Sequence, residues 1–426
     1  MTVSAEAVVS DEQRRVAITS WKTPIIFGLF TVLFALLPLL APRDGASTFR
    51  LVRSADAAIQ LPELVLPANA TAWVCVVLMA ATTLLAVMWT RAQRRLPLWL
   101  TVIYVVILLV GFLAWASAGG TLPMIGLLGG ALALATPLIF GALGGVIGER
   151  VGVVNIAIEA QLLAGAFMAA LVGSATGSPW IGLIAAMVAG VLVSLVLAVF
   201  AITYYVNQVI VGVVLNVLVA GLTTFLYRQV LNANPETLNS PPLFPVISIP
   251  VLSEIPVLGP VLFRQTIIVY LMYITVFLVW FGLYRTRWGL RLRAVGEHPQ
   301  AADTVGIKVA PTRYWNMMLA GAIAGMGGAF YTLVTNPQFG REMTAGAGYI
   351  ALAAVIFGKW DPVRATLAAL LFGFATNLQG VLSVIGSPVP SQFMLMLPYV
   401  VTIFAVAGLV GRSRPPAASG EPYIKS

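Results

Sequence analysis

Residues 135–161 read ATPLIFGALGGVIGERVGVVNIAIEAQ. An uncharged apolar run ends on the pair Glu149-Arg150, and a second apolar run follows that carries Asn155, Glu159 and Gln161. A charge pair wedged between two apolar runs marks a turn at a membrane surface. Polar groups a few residues inside the second run stand at membrane depth, where they are costly and face a cavity or a partner. Working outward, runs of roughly 20 residues, the length that crosses a hydrocarbon core of about 30 Å, recur at 24–41, 70–90, 98–117, 123–147, 153–173, 180–202, 207–227, 266–284, 312–334, 345–358, 362–382 and 391–411. The tenth is short, and the fourth and fifth are rich in glycine, which predicts broken or re-entrant pieces among them. The fold class is therefore all-α: a polytopic transmembrane helical bundle of about 10–12 segments.

Composition agrees. The chain has 426 residues, 60% hydrophobic and 9% charged, with a mean hydropathy of +0.96. Soluble domains carry about 25% charged residues, so most of this surface meets lipid. One cysteine, Cys75, and one histidine, His298, exclude a disulfide within the chain and any metal site built on several such ligands. Gly358-Lys359 is followed by Trp360, not by the Ser or Thr of a phosphate-binding loop. If nucleotide energy drives this protein, another chain hydrolyses it.

A net charge of +9 suggests nucleic acid in a soluble protein. Here the distribution explains it. With a cytoplasmic N-terminus and all twelve runs crossing, the outer loops hold 6 of the 24 Lys+Arg (Arg43, Arg50, Arg53, Arg228, Arg264 and Arg341) and the inner segments the other 18. That bias sets both termini in the cytoplasm. The first run follows more than twenty residues, too long a leader for a signal peptide, and reads as a retained helix. The expected organisation is a cytoplasmic tail 1–23, additional membrane segments 24–122, a core 123–411, and a disordered tail 412–426 containing Pro415-Pro416. The proline-bearing outer loops 42–69 and 231–265 predict extended or turn backbone.

The longest inner loop, 285–311, reads RTRWGLRLRAVGEHPQAADTVGIKVAP. Pro299 is placed to start a short helix and Gly306 to end it, with Pro311 breaking the chain before the next span. A short amphipathic helix among arginines is a surface on which another protein docks; the plainer alternative is a basic loop that only sets topology.

Three stretches together resemble the inner-membrane permeases of bacterial ABC importers in the ribose, branched-chain amino acid and nucleoside group. They are 135–161 above, RAVGEHPQAADTVGI at 293–307, and TAGAGYIALAAVIFGKWDP at 344–362, the last in the form of the nucleoside branch. Departures from the family pattern are Gly148 for Ser, Ala157 and Ala160 for Gly, His298 for Asn and Ala347 for Arg. The resemblance implies an importer-type permease in the bacterial cytoplasmic membrane, moving a small polar solute, nucleosides first, by alternating access. It implies no cofactor in this chain, with ATP and magnesium on a partner ABC ATPase of tandem domains. A second permease subunit, homologous or identical, and an extracytoplasmic substrate-binding lipoprotein complete the assembly. It also implies that Gly296, Glu297, His298, Pro299, Ala301, Ala302 and Gly306 form the element that couples to the ATPase.

Candidates for the substrate path are Asn155, Glu159, Gln161, Asn216, Asn377 and Gln379, and for an inner gate Glu149 and Arg150. Each has a structural alternative: Asn and Gln bond backbone freed by broken helices, Glu159 pairs with Arg150 or caps a helix, and Glu149 pairs with Arg150. Gly141, Gly144, Gly145, Gly321, Gly325 and Gly328 recur at helical spacing, for packing within the chain or between subunits. A faint internal repeat sets LGGVIGERVGVV at 143 against LAAVIFGKWDPV at 352, with Arg150 opposite Lys359. Competing functions are a sugar permease of the ribose type and a proton-coupled transporter using Glu159. A membrane-embedded enzyme is disfavoured, because the 15 acidic residues are scattered.

Overall fold

The computed structural model describes residues 21–51, 61–94, 96–387, 390, 392, 393, 396 and 415–425. The twelfth expected segment and nearly all of the N-terminal tail lie outside the described residues. In chain order the elements are α1 (Lys22–Leu40), β1 (Ala46–Arg50), β2 (Leu64–Pro67), α2 (Ala68–Arg91), α3 (Leu98–Ala116), β3 (Thr121–Pro123), α4 (Met124–Arg150), α5 (Ile158–Thr176), α6 (Pro179–Ala198) and α7 (Gln208–Leu226). There follow α8 (Pro235–Leu238), β4 (Val246–Ser248), α9 (Leu258–Leu262), β5 (Arg264–Thr266), α10 (Ile267–Arg285), α11 (Arg287–Glu297), α12 (Pro299–Thr304), α13 (Val309–Phe330), α14 (Ala347–Phe357) and α15 (Pro362–Val384). Single π-type turns extend α6, α7 and α13. Among the described residues, ten helices are long and apolar enough to cross a membrane: α1 to α7, α10, α13 and α15.

The chain divides into two compact units. The first holds α1, α2, α3 and a three-stranded sheet of order β2-β1-β3, in which β1 runs antiparallel to β2 and parallel to β3. Its helices meet where Gly111 of α3 leaves no room for a side chain beside Cys75 and Phe34, and the Tyr104 hydroxyl donates to the Phe27 carbonyl at 2.6 Å. Most of their remaining surface is apolar and exposed, as a lipid-facing helix requires.

The second unit is built on α4, which is buried on nearly every face. A helix apolar all round belongs at the centre of a bundle. Around it α5, α6 and α13 pack through small residues. A Cβ on Gly321 would strike the carbonyl of Gly190 and the Ser194 hydroxyl, one on Gly325 the carbonyl of Ala186, and one on Gly328 the carbonyl of Leu162. Gly141, Gly144 and Gly145 likewise abut Ala351, Ala320 and Val355. All six glycines therefore serve packing within the chain.

Several expectations change. Segment five does not begin helical at Val153: residues 151–157 form a buried turn in which Gly152 adopts φ +92°. Pro311 does not break the chain before α13; it sits in that helix's first turn, where a missing N–H costs nothing. The inner loop holds two helices, because α11 precedes the expected α12. The loop after α7 is extended at β4 but also contains the short turns α8 and α9.

Candidate functional site

Two helices begin inside the second unit without a capping side chain of their own, α5 at Ile158 and α14 at Ala347. With 11 residues, α14 is about 16 Å long, half of a hydrocarbon core of about 30 Å, too short to cross it alone. Both sets of unpaired backbone donors are met by polar side chains from elsewhere. The Glu159 carboxylate accepts from Thr344 Oγ1 at 2.6 Å, Gly346 N at 3.0 Å and Gly348 N at 2.6 Å. Asn216 of α7 accepts from Ala160 N at 2.9 Å and donates to the Ile156 carbonyl at 3.0 Å. The two helix starts touch directly, since a Cβ on Gly348 would collide with the backbone of Glu159.

Behind them, Asn155 and Gln161 exchange hydrogen bonds at 3.2 and 3.1 Å, and Gln161 also donates to Ser194 of α6 at 2.8 Å. Asn155 and Glu159 do not share a helical face, because Asn155 lies in the turn before α5. Two of the six path candidates, Glu159 and Asn216, thus satisfy broken backbone, and two more, Asn155 and Gln161, pair with each other behind them. The other two lie apart on α15: Asn377 donates to the Leu127 carbonyl at 2.7 Å near the start of α4, and Gln379 is half-buried.

At the far end of α14 the gate candidates meet a residue the sequence did not flag. The Trp360 indole N–H donates to the Glu149 carboxylate, and Arg150 Nε donates to the Trp360 carbonyl at 2.9 Å. Glu149 and Arg150 thus bond Trp360, and Glu159 caps α14 instead of reaching Arg150. Lys359 and Trp360 both adopt positive φ, 55° and 57°, conformations that cost energy in residues with side chains. Asp361 accepts from the Tyr284 hydroxyl at 3.0 Å and from Arg364 N at the start of α15 at 3.0 Å. The two turns paired in the faint repeat are in contact.

The loop 285–311 is seated on the turn at Arg150. Gly289, Leu292, Val295 and Gly296 bury one side of α11, and a Cβ on Gly296 would strike the carbonyl of Arg150. Next, α12 begins with Pro299 in its first turn and is followed by Gly306 at φ +84°, the boundaries expected for it. Its Pro299 and Ala302 point inward, while Glu297, His298, Ala301 and Gly306 are exposed. The His298 side chain caps neither helix.

Comparison with known proteins now bears on this geometry. Residues 127–406 match the family described as branched-chain amino acid transport system / permease component. The chain belongs to this permease family. The guanosine ABC transporter permease protein NupQ of Bacillus subtilis is 43% identical over 307 residues, covering 69% of this chain and 95% of that one. The nucleoside ABC transporter permease protein NupC of Lactococcus lactis is 38% identical, covering 69% and 95%, and the putative glucose ABC transporter permease protein TsgC13 of Haloferax volcanii 35%, covering 68% and 92%. No solved structure matches. The permease is a transport subunit and not an enzyme.

The permease's C-terminal segment is ordered where disorder was expected. Ala418 N donates to the Gly296 carbonyl at 2.9 Å, Gly420 N to the Gly152 carbonyl at 3.3 Å, and Ala417 N to Glu297 Oε2 at 3.2 Å. Buried Arg313 of α13 donates to the Glu421 carbonyl at 3.1 Å, and Lys425 lies 3.7 Å from Asp303. Burial and the neighbouring Asp303 raise the pKa of the Tyr423 phenol. Residues 415–425 therefore lie along the gate turn, α12 and α13 as a strap. Proline and small residues read as disorder from composition, yet here the loops offer carbonyl acceptors and Ala418 is small enough to be covered.

Proposed function

We propose that this permease moves nucleosides inward across a bacterial cytoplasmic membrane, with the end carrying α11, α12 and residues 415–425 in the cytoplasm. A separate ATPase of tandem domains, which binds ATP and magnesium, docks on the exposed side of α12. A second permease chain and an extracytoplasmic binding lipoprotein complete the assembly. The observation that carries the mechanism is the seat of Gly296 on the Arg150 carbonyl: displacement of α11 and α12 by an ATPase is felt at the turn that joins Glu149 and Arg150 to Trp360. In such a cycle nucleotide binding biases a bundle with two states. The 43% identity to a guanosine permease over 95% of its length supports the solute class.

A proton-coupled mechanism through Glu159 is less well supported, since that carboxylate already holds three donors across two helix starts. The sugar reading has relatives in its favour too, among them the putative glucose permease. Uptake of labelled guanosine, uridine, ribose and glucose in cells lacking this chain, with and without its return, separates these readings. Restored nucleoside uptake supports the proposal. Restored ribose or glucose uptake alone overturns it.

A further inference from the structure

Between the outer end of α13 and the start of α14, residues 336–346 descend without regular structure, and Asn336, Gln338, Arg341, Glu342 and Ala345 are exposed. Irregular, charged backbone is not tolerated against lipid; at membrane depth it occurs only against protein or a water-filled cavity. This side of the unit accordingly faces water, a partner chain or the solute path and not lipid. The segment is also strained, because Glu342 and Ala345 hold φ of 50° and 47° in the left-handed region. Such strain collects at binding sites, where the surroundings enforce it.

The segment delivers one aromatic ring to the start of α14. Tyr349, in the first turn of α14, is 49% exposed, and its hydroxyl accepts from Asn216 Nδ2 at 3.1 Å. Asn216 is itself fixed by the start of α5. A ring held by its hydroxyl with a face left open is a stacking platform, and aromatic stacking is tolerant of which base it meets.

We propose that Tyr349 is the residue on which the base of a nucleoside stacks within the membrane, with residues 336–346 forming the wall beside it. This inference rests on the nucleoside reading above.

The test uses the complete importer in cells lacking the native chain, with Tyr349→Phe, Tyr349→Trp, Tyr349→Leu and Tyr349→Ala, and membrane levels of each variant measured in parallel. Stacking on a ring is worth enough that its loss slows guanosine uptake by roughly tenfold or more. The expected pattern keeps uptake within about threefold for Phe and Trp and loses it for Leu and Ala. Leu equal to Phe means that only bulk matters and overturns the proposal. Photolabelling of the assembled importer with 8-azidoguanosine gives a second readout: label on the peptide containing Tyr349, lost in the Ala variant, supports the contact, and label elsewhere only overturns it. Absence of guanosine uptake by the wild type overturns the nucleoside reading itself, whereas wild-type uptake unchanged in the Ala variant overturns Tyr349 alone.

Discussion

The three spanning helices of the first unit and the central helix α4 of the second are of similar apolar character but are used in different ways. In α1 and α2 only 28% of the spanning window is buried and in α3 39%, whereas in α4 the share is 83%. Apolar content tells that a helix crosses a membrane, not what it faces. The polar residues refine the distinction: across the first unit's helices hydroxyls meet one another or a carbonyl, as Tyr104 does with Thr31 and Phe27, whereas in the second unit carboxylate and amide side chains hold helix starts, as Glu159 and Asn216 do. The family match covers residues 127–406, which leaves α1, α2 and α3 of the first unit outside it.

The largest expected effect of this contrast is at the glycine crossings. Gly321→Ala drives a methyl into a backbone carbonyl and the Ser194 hydroxyl, an overpacking that costs about 1–3 kcal/mol or more. The amount of monodisperse protein extracted from membranes is expected to collapse. Gly28→Ala in the first unit, whose Cβ would stand 3.9 Å from Thr83, is expected to leave it unchanged. If both behave alike, the two units are not packed differently.

Next is Glu159→Ala, which strips the acceptor from one hydroxyl and two backbone donors at about 1–3 kcal/mol for each left buried and unpaired. Uptake is expected to fall below about a tenth, and the thermal unfolding midpoint to drop. Its counterpart in the first unit, Arg50→Ala, breaks an exposed ion pair with Glu63 worth about 0–1 kcal/mol, and the midpoint is expected not to move measurably.

A smaller effect is expected from ending the chain after residue 414. Arg313 then loses the Glu421 carbonyl, the one acceptor it has among the described residues, at a cost of roughly 1–3 kcal/mol. A modestly lowered unfolding midpoint, with protein still in the membrane, is the expected outcome; no change would show that the strap contributes nothing to the second unit.

Much of this architecture was legible in the chain. The apolar runs located the described spans, the brevity of 345–358 anticipated the half-length α14, and Pro299 with Gly306 bounded α12, because these depend on local composition and backbone geometry. The helix α11 was missed although Gly289, Leu292, Val295 and Gly296 recur at helical spacing, since its arginines draw the reading toward a basic loop. At the site, Asn155, Glu159, Gln161 and Asn216 were named both as a solute path and as partners for broken backbone, and the hydrogen bonds of Glu159 and Asn216 are of the second kind. Trp360 and Tyr349 went unnoticed for a different reason: their partners Glu149 and Asn216 lie 211 and 133 positions away, and no spacing rule links them. The strap was hidden by the same limit, since its acceptors belong to distant loops.

The central claim is that α12 is the element through which the ATPase drives the gate. Its most direct test pairs guanosine uptake with ATP hydrolysis in the assembled importer carrying Glu297→Lys and Gly306→Val. The account predicts that uptake is lost while the protein remains in the membrane, with hydrolysis either abolished or no longer tied to transport. Full uptake by this variant, at wild-type rates of hydrolysis, would contradict it.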